Sequence, residues 1–163
     1  AYEIRLSLVG SEMCIRDSIP ALGETVCAAT GLGCWYRSSR DGLWTSAQVS
    51  SKSDIGSAVL LTSQRDLFAR RDAEANFLAL ENAAWVTRTW GDGYGYLLVA
   101  TGRAEIMVDP LCNPWDVAAM GPIMSESGGC FTDWKGVATC TSGEGVATNG
   151  KLHEQVLAHL VNT

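Results

Sequence analysis

Residues 90–136 read WGDGYGYLLVATGRAEIMVDPLCNPWDVAAMGPIMSESGGCFTDWKG, and this stretch decides the fold. Asp92–Thr101 predicts a helix stopped by Gly102. Ala104–Val108 predicts a strand. Asn113 is placed as an N-cap and Pro114 as a first-turn residue of a second helix, which runs to about Ser127 and ends at Gly128-Gly129. Cys130–Trp134 predicts another short strand. Helices and strands in alternation give a mixed α/β class.

The pattern continues on both sides. Residues 22–36 predict two short strands joined at Gly31-Leu32-Gly33, with glycines where a hairpin needs positive φ. Residues 37–56, rich in Ser, Arg, Asp and Gly, predict a surface loop. Ala58–Thr62 predicts a buried strand. A helix is expected from Ser63, with Asp66 at capping-box spacing and an apolar face of Leu67, Phe68, Phe77, Leu78 and Leu80. Trp85–Thr89 and Gly145–Thr148 predict strands, and Lys151–Val161 a terminal helix. No repeat or low-complexity segment interrupts them.

The 163 residues suit one domain, and 47% hydrophobic with 18% charged residues suits a globular chain. Twelve Lys and Arg against eighteen Asp and Glu give a net charge of −6, which argues against a general nucleic-acid footprint. The longest uncharged run, Thr25–Tyr36, is 12 residues, short of the roughly 20 a bilayer requires. Only His153 and His159 are histidines, so a His-rich zinc site or a serine-protease type of triad is disfavoured and carboxylates become the expected chemistry. The six cysteines contain no Cys-x-x-Cys pair and fit buried thiols in a reducing cytoplasm. Residues 1–18, AYEIRLSLVGSEMCIRDS, carry neither strand alternation nor a helical stripe. They resemble a read-through tail and are set apart from the fold, which is expected to begin at Ile19; the alternative is a native edge strand over Tyr2–Val9.

Three carboxylates stand at element ends. Asp116 falls in the first turn of the Pro114 helix, where the helix dipole alone explains it; a hard-oxygen ligand for Mg²⁺ is the functional alternative. Asp109 closes a strand, where α/β ligand sites collect. Asp92 follows Gly91 at a helix start and could be a cap. From spacing alone, the structural reading is favoured for each.

Trp115-Asp116-Val117-Ala118-Ala119 with Ile123, Glu126 and Gly128-Gly129 resembles the C-terminal signature of the inositol monophosphatase superfamily. The resemblance extends over Leu97–Gly102, Ile106–Pro110 and Phe131–Gly136, and back to Ile19–Glu24 and Gly33–Tyr36. Gly91–Tyr96 and Asn113–Asp116 look most like the histidinol-phosphate phosphatase branch, which often has Cys where this chain has Gly93. The resemblance implies a layered α-β-α-β-α fold and Mg²⁺-dependent phosphomonoester hydrolysis. It implies Asp116 as a metal ligand, Asp109 as an acidic substrate contact, and Asp92 beside the alcohol moiety, where a carboxylate suits the ammonium group of histidinol.

The family's upstream Glu motif and its Asp-Pro-x-Asp-Gly-Thr motif are absent; the only Asp-Pro is Asp109-Pro110. The resemblance therefore covers roughly the C-terminal half of such an enzyme. The catalytic residues are expected in the upstream half, and this chain is expected to be weakly active or inactive. The intact enzyme is expected to be a cytoplasmic homodimer acting on a small phosphorylated alcohol, with neither nucleic acid nor membrane as partner. Rival readings are an inositol monophosphatase, a non-catalytic binding or dimerisation module of the same fold, and an unrelated α/β domain whose aspartates are helix caps.

Overall fold

The computed structural model describes residues 14–161. Its first sheet is an antiparallel meander of β1 (Cys14–Ile19), β2 (Glu24–Ala29), β3 (Gly33–Arg37) and the two-residue β4 (Thr45–Ser46), in that order. The β2–β3 turn falls where the glycines predict it: Gly31 and Gly33 lie at φ +76° and +80°, values that L side chains rarely adopt. The segment expected to be a loop contributes β4, which pairs with Trp35 and Tyr36.

The second sheet contains β5 (Val59–Leu61), β6 (Val86–Arg88), β7 (Ile106–Asp109), β8 (Cys130–Thr132) and β9 (Gly145–Thr148), in the order β6-β5-β7-β9-β8. Strands β6, β5 and β7 are parallel; β9 runs antiparallel to both β7 and β8. Its central strands are apolar on both faces. Leu60, Ile106, Val108 and Val146 enter one core, while Leu61, Met107 and Ala147 enter another.

The first of these cores packs against α1 (Glu74–Ala83) and α5 (His153–Val161). The second holds α2 (Asp92–Ala100) and α4 (Met120–Glu126) between the two sheets. The described residues thus stack as sheet, helices, sheet, helices. This is four consecutive layers of the expected α/β architecture.

Three expectations need correction. Residues 14–18, set apart from the fold in the sequence reading, form β1 and pair with β2 from Cys14↔Ala29 to Ser18↔Thr25. Ile15 and Ile19 pack on the inter-sheet core, and Asp17 between them breaks the alternation that would have announced a strand. The alternative strand at Tyr2–Val9 lies outside the described residues. The helix expected from Ser63 is two 3-10 turns, Arg65–Leu67 and Ala69–Arg71, stopped by Asp72 at φ +56° before α1 begins. Asp66 makes no cap there; Phe68, Phe77 and Leu80 are buried as expected, whereas Leu78 is exposed. The helix from Pro114 divides into α3 (Pro114–Val117) and α4, because Pro122 has no N–H to donate to the Ala118 carbonyl.

Candidate active site

Ser63 follows β5, and Asp109 ends β7, its parallel neighbour. Strand ends on one edge of an open α/β sheet are where ligand clefts form. The N-termini of α2 and α3 bring Asp92 and Asp116 to the same place, and β1 adds Asp17. These five residues line a cavity of about 450 Å³, together with Gly93, Tyr96 and Cys112 among others. Among the described residues, four that line it are carboxylates, and none is Lys, Arg or His.

The carboxylates differ sharply in environment. Asp109 is only 4% exposed and forms the floor. Its Oδ1 accepts from the Ser63 amide at 3.2 Å and its Oδ2 from the Tyr96 hydroxyl at 2.8 Å. Burial raises its pKa, and the Asp92 charge adds to the rise; the Ser63 and Tyr96 hydrogen bonds offset part of it. Tyr96 is itself pushed well above the ordinary tyrosine range, first by burial and then by the Asp109 charge.

Asp92 is exposed at the mouth, at φ +54°, a conformation uncommon for any residue but glycine. Its amide donates to Ser63 Oγ at 2.9 Å. Gly91 permits that approach: a Cβ there would overlap the Ser63 Cα. Asp116 is exposed on α3 and its Oδ2 accepts from Asn113 N at 2.9 Å and Asn113 Nδ2 at 3.1 Å. It therefore does serve the cap, and its Oδ1 makes no hydrogen bond among the described residues. The Cys112 thiol is pushed up to about 12, by burial and then by the Asp109, Asp116 and Glu144 charges, which makes it a poor nucleophile at neutral pH.

The profile of the inositol monophosphatase family matches residues 18–163. The chain belongs to this family. Family relatives include a histidinol-phosphatase of Chlorobaculum parvum, 34% identical over 160 residues, or 98% of this chain and 60% of that protein. A histidinol-phosphatase of Mycobacterium tuberculosis is 38% identical over 154 residues, covering 90% of this chain and 59% of its own length. Among solved structures, a Thermotoga maritima IMPase superposes with TM-score 0.73 at 28% identity, over 86% of this chain and 52% of that one. The chain thus spans about three fifths of the length of these two histidinol-phosphatases.

Within the family fold, Asp92, Asp109 and Asp116 all reach one cavity, as a shared site requires. Two lining residues escaped the sequence reading. Tyr96 belongs to the Gly91–Tyr96 segment of the resemblance but was given no role, because its bond to Asp109, 13 residues away, leaves no local trace. Asp17 was set aside with its segment, yet it faces Gly93 so closely that a Cβ there would lie 2.5 Å from its Oδ2. That oxygen is buried without a hydrogen-bond partner among the described residues, and burial raises the Asp17 pKa.

Proposed function

We propose that the cavity serves Mg²⁺-dependent hydrolysis of a phosphomonoester, with histidinol phosphate as substrate. The observation that carries this is a lining whose charged groups, among the described residues, are all carboxylates, with two exposed aspartates, Asp92 and Asp116, at the rim. Such a lining repels a phosphate unless a divalent cation intervenes, and it attracts an ammonium group. The similarity to two histidinol-phosphatases supports the same substrate. Asp92 would meet the ammonium, and Asp116 would offer its uncommitted oxygen to the metal.

Mg²⁺ requires several oxygens in near-octahedral convergence. The donors here have the right chemistry, but no group of three or more His, Cys, Asp or Glu among the described residues is arranged to hold a metal. The fit is therefore incomplete. We infer accordingly that the 163-residue chain alone turns substrate over weakly or not at all.

The test is phosphate release from histidinol phosphate and from inositol phosphate across a Mg²⁺ titration. Release at a rate typical of enzymes would overturn the inference of weak activity. Calorimetric binding of both compounds over the same Mg²⁺ series decides the substrate: preference for inositol phosphate over histidinol phosphate would favour the inositol reading, which the Thermotoga maritima likeness supports.

A further inference from the structure

A chain of hydrogen bonds leads from the buried core to the mouth of the cavity. Tyr96, 1% exposed, donates to Asp109; Asp109 accepts from Ser63; Ser63 Oγ accepts from the Asp92 amide. Tyr96 lies four residues after Asp92 on α2, so both ends of that helical turn are tied to the strand ends of β5 and β7. The backbone at Asp92 sits in a left-handed conformation that is strained for a residue other than glycine and persists only where its surroundings hold it. The Ser63 hydroxyl accepts from that backbone, and Asp109 bonds the Ser63 backbone amide beside it.

The geometry points to Tyr96 as a positioning residue: its hydroxyl locks the Asp109 carboxylate, and through Ser63 the Asp92 backbone, so that the Asp92 carboxylate faces an incoming amino group. Tyr96 does not touch substrate in this arrangement. Its effect is selectivity for a cationic amine over a neutral alcohol of the same shape. The inference rests on the reading of the cavity as a site for an amino-alcohol phosphate.

The test uses the full chain, with L-histidinol as a metal-independent probe and 3-(imidazol-4-yl)propan-1-ol as the same molecule without its amine. Tyr96→Phe, which keeps the ring packing, is expected to weaken L-histidinol about tenfold and leave the neutral alcohol unchanged. Added to Asp92→Asn it should cost nothing more, since both changes act on one interaction. Equal losses for both probes, or losses that add in the double variant, overturn the positioning role. If the wild-type chain binds L-histidinol no better than the neutral alcohol, the amine reading of the cavity fails. Hydrogen exchange at the Asp92 amide then decides the role of Tyr96. Faster exchange in both Tyr96→Phe and Ser63→Ala supports it; exchange unchanged in Tyr96→Phe overturns it.

Discussion

The floor and the rim of the cavity carry the same side chain in opposite circumstances. At the floor, Asp109 is buried and both of its oxygens are bonded by the protein. At the rim, Asp92 and Asp116 are exposed, and Asp116 keeps one oxygen uncommitted among the described residues. A buried carboxylate with two donors cannot turn toward a ligand without leaving those donors unpaired, so it fixes geometry. An exposed one can exchange water for a cation at little cost. Asp109 is thus tied into the floor by two donors, and the substrate contact that the resemblance implies would compete with them.

The strongest way to break this contrast is Gly91→Ala. The added methyl would be driven into the Ser63 backbone, forcing β5 and α2 apart, with an expected loss of about 1–3 kcal/mol or more and collapse of the floor. Gly121→Ala in α4 is the control: nothing lies within 4 Å of the new Cβ, so about 0.5–1 kcal/mol of stabilisation is expected. Chemical denaturation of the two variants measures both.

Asp109→Asn comes next. Its amide cannot accept from both Ser63 N and Tyr96 OH, so about 1–3 kcal/mol should be lost. Because the folded-state pKa of Asp109 is raised, the folded protein holds that proton more tightly than the unfolded chain. Relative to Asp109→Asn, the wild type should therefore gain stability as pH falls through the raised value, and stop gaining below the ordinary aspartate range. A denaturation midpoint that runs parallel in the two proteins from pH 7 to 3 would refute burial as the organising influence.

His153 applies the same logic away from the cavity. It is buried between Thr132 Oγ1 at 3.0 Å and Thr148 Oγ1 at 3.1 Å, and burial lowers its pKa, partly opposed by Glu154. The unfolded chain takes up this proton first. Stability from the neutral ring is complete above about pH 6.5 and should fall as pH drops from there through the lowered value. His153→Gln should flatten that part of the profile.

The smallest effect on stability belongs to Asp116→Asn. Asn can still accept from the Asn113 amide, so less than about 1 kcal/mol should be lost. If Asp116 also offers an oxygen to the metal, a Mg²⁺-dependent shift of the thermal midpoint should weaken in the variant. An undiminished shift would leave Asp116 as a cap alone.

Much of this was legible in local pattern. The Gly31 and Gly33 hairpin, the Gly102 stop and the Asn113-Pro114 helix start depend on backbone preferences of a few adjacent residues, and they occur where expected. The β1 strand was not legible, because Asp17 interrupts its inward face and its stability comes from pairing with β2. The Ser63 helix failed because a capping-box spacing does not guarantee a cap; Asp72 turns left-handed and the chain restarts as α1. In the site, element ends marked Asp92, Asp109 and Asp116, while Tyr96 fell within the Gly91–Tyr96 resemblance but its bond to Asp109 left no local sign.

By itself the sequence determined the α/β alternation, the acidic character and the three aspartates, since periodicity, charge and capping are carried by neighbours along the chain. Only the tertiary structure decided which aspartate is buried, that Tyr96 holds Asp109, and that Asp17 joins them. Burial and hydrogen bonding between distant segments exist only once β1, β5, β7 and α2 have been packed together, and those two quantities set what each carboxylate can do.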